Sequence, residues 1–334
     1  MSFPTAVFLD TSVLAGQQYN FESTALKTFI PVAKSRSLKL LLPDPTEREV
    51  LRQIRERSQE ALTALDEARR KAPFLAKWRH YPQRSGWPDW EVRRLATDEW
   101  KAFLANFSLI RLGYGDTKIE QIMDWYDSIL PPFREGKKRK EFPDAFAISI
   151  LEAYARTTGC VVAVVSDDSD LKFACDRLHS LLYFQSLPAL TELLLADPLR
   201  IEALRTAITQ DLSAIETKVM ERAETLDFFH VNKEYSIRRS KLSRVSISDV
   251  HIVAIGDAEC TLTFEAEIEG EHLLEWTQYS HPGEDEDEDW VYEPAPISGT
   301  VKVGLNPSHR IDRVTLIGID EMDFEVSEIP NHHR

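Results

Sequence analysis

Short apolar runs recur through the first half of the chain, separated by longer stretches of mixed polarity. The runs cover residues 5–9, 38–42, 109–112, 161–165 and 181–184. Each run is nearly continuous rather than alternating, which is typical of strands buried on both faces of a parallel sheet. The intervening stretches carry apolar residues at helical spacing, as at Phe146, Ile150 and Tyr154. This order predicts βαβ units, and therefore an α/β domain with a central parallel sheet.

Local signals mark the starts of two helices in this region. Thr46 and Glu49 have the spacing of a capping box, which predicts that a charged helix opens there and continues to about Lys71. Pro143 suits the first position of another helix, because the N–H group that proline lacks would have no partner there. The acidic residues Glu49 and Asp144 are therefore expected in the first turns of their helices.

The pattern changes in the second part of the chain. Residues 188 to about 225 have a helical pattern, and after Phe228 apolar and polar residues alternate, as in 246–255, 261–268, 300–303 and 313–319. Alternation predicts a small antiparallel β domain with one solvated face. A run of six acids at 284–289 is expected to interrupt this domain, because its charges repel one another too strongly for a strand. The predicted division is an α/β domain (1–190), a helical linker (191–226) and an acidic β-rich domain (227–334).

Charge is divided unevenly between the two parts. Residues 1–200 hold 28 lysine and arginine residues against 27 acidic ones, whereas the remaining 134 hold 12 against 28. The net charge of −15 therefore lies almost wholly in the second part, which would repel a nucleic acid. The asymmetry predicts distinct roles for the two parts. Two hypotheses stay open for the acidic domain: autoinhibition or partner sensing, and oligomerisation or stability.

The cysteines and the apolar content indicate the cellular setting. Cys160, Cys175 and Cys260 are widely spaced and form no CxxC pair, which argues against a disulfide framework and a zinc site and favours a reducing cytoplasm. No apolar stretch approaches the length of about 18 residues that a membrane helix needs, and the first residues do not have the pattern of a secretory signal. We expect a cytoplasmic protein without a membrane partner.

Four separated carboxylates are expected at one edge of the predicted sheet. Asp10 ends the first strand, Asp168 follows the strand at 161–165, and Glu49 and Asp144 open their helices. Ligands collect at the carboxyl ends of parallel strands, so all four side chains can converge there. Each acid alone has a structural explanation as a helix cap or a dipole partner. Four like charges together imply a cation.

The predicted cation is Mg²⁺ or Mn²⁺. These ions prefer oxygen ligands, keep several waters and bridge substrate phosphates. Two of them, about 4 Å apart, can activate a water and stabilise the leaving oxygen of a phosphodiester. This chemistry needs no nucleophile from the protein, in keeping with a sequence that offers no convincing Ser/His or Cys/His constellation.

The first acid lies in a motif that resembles the opening motif of PIN-like nucleases. The sequence FLDTS at residues 8–12 is similar to the family motif in which the aspartate, here Asp10, is a metal ligand. The resemblance implies that the following hydroxyl residues, here Thr11 and Ser12, support that aspartate.

The other three acids lie in segments that resemble the remaining PIN motifs. TxxE at 46–49 ends in Glu49, EFPDA at 141–145 contains Asp144, and VSDDSD at 165–170 contains Asp168 together with Ser166 as a supporting residue. The last two motifs together are similar to a bacterial PIN-like subfamily. The resemblance covers about residues 4–190 and implies a three-layer α/β/α fold. It also implies a metal-dependent endoribonuclease, with single-stranded DNA open as a substrate besides RNA.

Two choices stay open in this assignment. Glu47 competes with Glu49 as the second acid, and Glu49 is preferred because it matches the TxxE spacing. In the fourth motif Asp168 is the main choice and Asp170 a second metal ligand, while Asp167 is expected to be solvated. The insertion at 73–108 either caps the site or extends the fold.

Two groups of residues are candidates for holding the substrate. Lys137, Lys138, Arg139 and Lys140 form a basic loop just before the third acid, where they either bind a phosphate backbone or remain solvated. A second tract interleaves tryptophans with arginines. It either stacks unpaired bases or packs as core. Its members are Trp78, Arg79, Arg84, Trp87, Trp90, Arg93, Arg94 and Trp100.

A second class of function competes with the nuclease. The domain could be catalytically silent and bind RNA or a protein, with the four acids serving the fold alone. The retention of all four acids favours the enzyme. The expected partners are RNA, with single-stranded DNA as an alternative, and a homodimer or an inhibitory protein.

Overall fold

The computed structural model describes residues 3–72, 89–115, 117–134, 142–195, 198–232, 235–256, 259–276, 287–306, 311–320 and 323–329. The chain divides into two compact units, Met1–Leu190 (unit 1) and Thr191–Arg334 (unit 2). None of the helices within these ranges combines the length and apolar character that crossing a membrane requires. The basic loop at 137–140, Trp78 and Trp87 lie outside the described residues.

Unit 1 alternates strands and helices along the chain. Its strands are β1 (Ala6–Leu9), β2 (Lys39–Pro43), β3 (Ser108–Leu112), β4 (Val162–Val165) and β5 (Leu181–Phe184). Its helices are α1 (Thr11–Gly16), α2 (Thr24–Ser35), α3 (Asp44–Lys71), α4 (Asp89–Leu104), α5 (Ile119–Asp127), α6 (Phe142–Thr158), α7 (Ser169–Asp176) and α8 (Leu187–Leu194), which runs on into unit 2.

The strands form one parallel five-stranded sheet in the order β3-β2-β1-β4-β5. This confirms the predicted α/β fold. Every residue of β1 and β4 is buried, as expected for strands covered on both faces. Between β1 and β4 the order of the chain reverses. That point is the topological switch, where ligands of open α/β sheets bind.

The long helix α3 begins earlier than the sequence pattern indicated. It runs from Asp44 to Lys71, and its N-cap residue Pro43 offers no side-chain cap. The predicted capping box at Thr46 and the predicted place of Glu49 in the first turn are therefore wrong, although the predicted end at Lys71 is confirmed. Pro45 suits the first turn because its φ angle is already helical and it has no N–H group to satisfy. Asp44 and Glu47 add negative charge to the same turn, where the helix dipole favours it.

Helix α4, part of the predicted insertion, packs along α3. On its inner side Trp100 is only 4% exposed and its ring centroid lies 5.5 Å from that of Phe21 and 5.7 Å from that of Phe103. Trp100 is therefore core, in keeping with the packing alternative. Trp90 at the other end of α4 remains 58% exposed.

The described part of unit 2 combines helices with two sheets. Its elements are α9 (Pro198–Gln210), α10 (Leu212–Ala223), β6 (Asp227–His230), β7 (Tyr235–Ile255), β8 (Glu259–Trp276), β9 (Asp287–Leu305), β10 (Ile311–Ile319) and β11 (Asp323–Val326). Strands β10-β9-β8-β7 form the predicted antiparallel sheet, and β6 pairs with β11 in parallel. Apolar residues of α9 and α10, such as Leu204 and Ile215, share a core with the sheet residues Ile252 and Leu262.

Part of the acidic run lies within the β sheet, contrary to the expectation. Its last three residues, 287–289, open strand β9, so the prediction is wrong for them. Glu288 stands opposite Glu275 of β8 in the ladder. Arg238 of β7 contacts both carboxylates, and its positive charge offsets a repulsion that would otherwise disfavour this pairing.

Candidate active site

Strands β1 and β4 bring two polar loops together at the switch point. The chain leaves the sheet at Leu9 and again at Val165, which are register partners in neighbouring parallel strands. The Asp10 amide then donates to the Val165 carbonyl over 3.0 Å. Asp10 and Ser166, which follow the two strands, are therefore adjacent although they are far apart in sequence.

Hydroxyl groups hold the Asp10 carboxylate in place. Asp10 caps helix α1 and is 7% exposed. Its Oδ2 atom accepts hydrogen bonds from Ser12 Oγ at 2.5 Å and from Ser166 Oγ at 2.8 Å. Both donors are neutral, so the negative charge of Asp10 is oriented without being cancelled.

Ser166 also connects this carboxylate to the fourth predicted motif. Its fully buried Oγ accepts the Asp168 amide at 3.0 Å. Asp168 in turn caps helix α7, accepting the Asp170 amide on Oδ1 at 2.7 Å. One buried serine thus fixes the spacing between the loops that carry Asp10 and Asp168.

Glu49 lies on α3 and is oriented by neighbours one turn away. Its Oε1 atom accepts from Gln53 Nε2 at 2.9 Å and lies 3.4 Å from an Arg52 guanidinium nitrogen. Gln53 Oε1 accepts from the Tyr19 hydroxyl at 2.6 Å. Burial raises the pKa of Tyr19 to about 12, and the nearby Glu49 and Asp10 carboxylates act in the same direction. Tyr19 therefore stays protonated and donates to Gln53 throughout the ordinary pH range.

Tyr19 reaches this position through an uncommon backbone conformation. Gln18 and Tyr19 have φ angles of 50° and 58°, in the left-handed region that costs about 1–3 kcal/mol for a residue other than glycine. The strain is compatible with a functional constraint on the loop after α1. Local sequence offers no signal for this contact. Arg52 and Gln53 could have been found, because they lie three and four positions after Glu49 and so share its helix face.

The four predicted acids meet in one cavity of about 370 Å³. Asp144 reaches it from the first turn of α6, together with Pro143. The cavity is lined by Asp10, Thr11, Ser12, Ala15, Glu49, Arg52, Gln53, Pro143, Asp144, Asp167, Asp168 and Leu171. Among these described residues five are acidic and only Arg52 is cationic. The cavity therefore carries a strong negative potential.

Three other predicted or competing acids have different surroundings. Glu47 lies outside the cavity lining and binds Arg111 of β3 at 3.1 Å. Asp170 is fully buried, does not line the cavity and pairs with Arg134. Asp167 is exposed, as expected, but also lines the cavity. The structure thus places Glu49 rather than Glu47 with the other acids.

A tyrosine near the cavity reflects its negative charge. Burial raises the pKa of Tyr183 on β5, and the carboxylates of Asp167, Asp168 and Asp10 raise it further. A phenol resists ionisation when negative charges surround it. The same charges would attract a cation.

The donors fit a hard divalent cation in kind, but they do not form a closed cage. Within the described ranges, no three His, Cys, Asp or Glu side chains are arranged so that they could hold a metal ion. Mg²⁺ usually takes one or two carboxylates and completes its shell with waters and substrate phosphates. An open cavity lined by separated carboxylates agrees with this type of binding, and it offers none of the sulfur or imidazole ligands that softer metals prefer.

Fold and cavity together define a parallel α/β domain with carboxylates gathered at its switch point. Residues 7–171 match the family model described as PIN domain. The chain therefore carries a PIN-like nuclease domain in unit 1. PIN domains are generally nucleases, and they typically use divalent metal ions. Comparisons with curated proteins and with solved structures found no match.

Proposed function

We propose that unit 1 is a metal-dependent endoribonuclease. The observation that carries this proposal is the cavity of about 370 Å³ at the β1/β4 switch point, where five of the described lining residues are acids. Asp10, Glu49, Asp144 and Asp168 would hold Mg²⁺ or Mn²⁺. Bound there, the ions would supply Lewis acidity, which lowers the pKa of a water and neutralises charge on a phosphate.

The residues of the chain would orient the reactants. Ser12 and Ser166 fix Asp10 by neutral hydrogen bonds, so its full charge stays available to a cation. The Arg52 side chain, 52% exposed at the cavity wall, can bind a phosphate oxygen with a planar guanidinium. Hydrolysis adds water across the phosphodiester: the water oxygen bonds to phosphorus, the P–O bond to the leaving ribose oxygen breaks, and that oxygen takes up the proton that the water loses.

The direct test is cleavage of labelled single-stranded RNA and DNA by the purified full chain. Each substrate is incubated with EDTA, Mg²⁺ or Mn²⁺, using wild type, Asp10→Asn and Asp144→Asn. A matched control is Asp176→Asn, because Asp176 is an exposed acid on α7 that pairs with Lys172 and does not line the cavity. We expect metal-dependent cutting of RNA by wild type and by the control, and its loss in both site variants.

The other outcomes separate the alternatives. Cutting of DNA alone would leave a nuclease but overturn the assignment to RNA. Cutting that persists in EDTA would overturn the metal-dependent mechanism. If no substrate is cut and metal changes neither activity nor thermal stability, the domain is a silent binding module.

A further inference from the structure

Helices α3 and α4 line an open groove in unit 1, the α3/α4 groove, which is separate from the acidic cavity. It measures about 340 Å³. From α3 it is lined by Leu51, Ile54 and Arg55. Leu51 is 41% exposed and Ile54 only 4%. The α3 wall is thus apolar at its base, with a cation, Arg55, at its rim.

The α4 wall adds an aromatic ring and more positive charge. Its lining residues Trp90, Arg93, Arg94, Thr97, Asp98 and Lys101 follow one another at helical spacing. Trp90 is 58% exposed, and the Arg94 guanidinium lies 5.5 Å from its ring centroid. The acid Asp98 is bound by Lys101 at 3.2 Å. Among the described lining residues of this groove, four are cations and one is an acid, the reverse of the balance in the acidic cavity.

We propose that the α3/α4 groove binds an unpaired stretch of RNA. Trp90 would stack on a base, and the arginines and Lys101 would contact phosphates. Base–aromatic stacking needs an exposed ring and an exposed base face, which a duplex does not offer. The inference rests on the proposed function, since it names how the same substrate is held away from the cleaved bond.

The two cavities lie on opposite faces of the same helix. Glu49, Arg52 and Gln53 face the acidic cavity, while Leu51, Ile54 and Arg55 face the groove. An α-helix with its side chains is about 10–12 Å across, so a strand longer than the acidic cavity can reach both sites. Groove residues should therefore affect affinity rather than the chemical step.

The test measures binding without cleavage, using the full-length Asp10→Asn protein. The probes are fluorescein-labelled single-stranded RNA and DNA of 20 nucleotides and a blunt RNA duplex of the same length. Adding Trp90→Ala should weaken binding of single-stranded RNA about tenfold, whereas Trp90→Phe should retain most of it. The plot of log affinity against log salt has a negative slope, and Arg55→Ala and Arg94→Ala should each make that slope shallower by about 0.7.

Matched controls separate the groove from general surface effects. Leu95→Ala removes an equally exposed apolar side chain, 57% exposed, from α4 outside the groove. Lys71→Ala removes an exposed cation at the end of α3. Both should bind like the parent. Equal binding by Trp90→Ala and Leu95→Ala would overturn the proposal, as would equal affinity for the duplex or no binding by the parent.

The cleavage assay keeps this proposal distinct from the nuclease assignment. In an otherwise wild-type protein, Trp90→Ala should raise KM for a long RNA and leave kcat unchanged. An unchanged KM in an active enzyme would overturn the groove and leave the nuclease. If the protein cuts nothing but binds RNA in a way that depends on Trp90, the groove stands and the nuclease assignment is overturned.

Discussion

Two acid clusters, one in each unit, differ in what balances their charge. In unit 2 the buried Glu192 contacts Arg205, and its second oxygen lies 3.0 Å from His251 Nδ1. His251 Nε2 lies 3.0 Å from Asp249. Carboxylates and cations alternate, so the charges are balanced within the protein.

In unit 1 the acids of the candidate active site have no such balance of charge. Asp10 is held by hydroxyls, and the cavity that it shares with four other acids contains a single cationic side chain among its described lining residues. An acid cluster that contains its own cations stabilises the folded state. A cluster without them leaves an uncompensated negative potential, which raises the pKa of the nearby Tyr183 and would attract a cation.

The largest difference between the clusters should appear on Asp10→Asn in unit 1. Nuclease activity should fall at least about a hundredfold, because metal ions contribute several kcal/mol to such reactions. In the apo protein the free energy of unfolding should not fall, since one of several repelling charges is removed. Activity assays and thermal melts with and without Mg²⁺ check this: the metal should raise the Tm of wild type and not of the variant. A Tm that metal leaves unchanged in wild type would contradict the comparison.

Glu192→Gln should have the opposite profile, a loss of stability in unit 2. Breaking a buried ion pair costs about 3–5 kcal/mol. Arg205 is 57% exposed and its charge is partly screened, so we expect about 2 kcal/mol. Because a chain with two units need not unfold in one step, the measurement is amide hydrogen exchange of peptides from β7. The control is Glu221→Gln, an exposed partner of Lys218, which should cost under about 0.5 kcal/mol. Equal effects would show that the Glu192 cluster adds no stability.

The acids of the candidate site could be predicted from the sequence more readily than the residues that contact them. Continuous apolar runs predicted β1 and β4, and the rule for parallel sheets then placed Asp10 and Asp168 at one edge. Asp168 and Asp170 lie two positions apart in one motif, yet the first lines the cavity and the second pairs with Arg134. That distinction depends on which long-range cation reaches each acid, which local pattern does not encode.

The errors had a similar origin. Repulsion within the acidic run 284–289 predicts an interruption, but at Glu288 the charge of Arg238 from another strand offsets it. The spacing of Thr46 and Glu49 predicts a capping box, but the helix already begins about one turn earlier, at Asp44, with Pro45 in its first turn. In both cases a neighbouring residue outside the motif decided the outcome. Whether the four cavity acids act as metal ligands stays a prediction.

A smaller loss of activity in unit 1 should show that the hydrogen bonds which orient Glu49 matter for catalysis. Tyr19→Phe removes the hydroxyl that donates to Gln53, which in turn donates to Glu49. A hydrogen bond of this kind is worth about 1 kcal/mol, so kcat should fall about fivefold with little change in KM. Combining it with Gln53→Leu should cost less than the sum of the two, because both act through Glu49. The control is Tyr154→Phe, on α6 and outside the cavity lining. Additive losses would contradict a shared role.

The smallest expected effect is the pH dependence of unit 2. The hydrogen bond to Glu192 raises the pKa of His251 above its usual 6.5 despite burial, with Asp249 acting in the same direction. Burial alone would raise the pKa of Glu192, but hydrogen bonds from His251 and Arg205 outweigh it and lower the pKa below 4.5. The histidine contribution is complete below pH 6.5 and is lost as pH rises through the raised pKa; the glutamate contribution is complete above pH 4.5 and is lost as pH falls. The cluster should therefore protect β7 amides most between about pH 4.5 and 6.5, as measured by hydrogen exchange corrected for intrinsic rates. His251→Asn should remove the loss on the alkaline side while leaving that on the acid side. An alkaline loss that survives His251→Asn would place its origin outside this cluster.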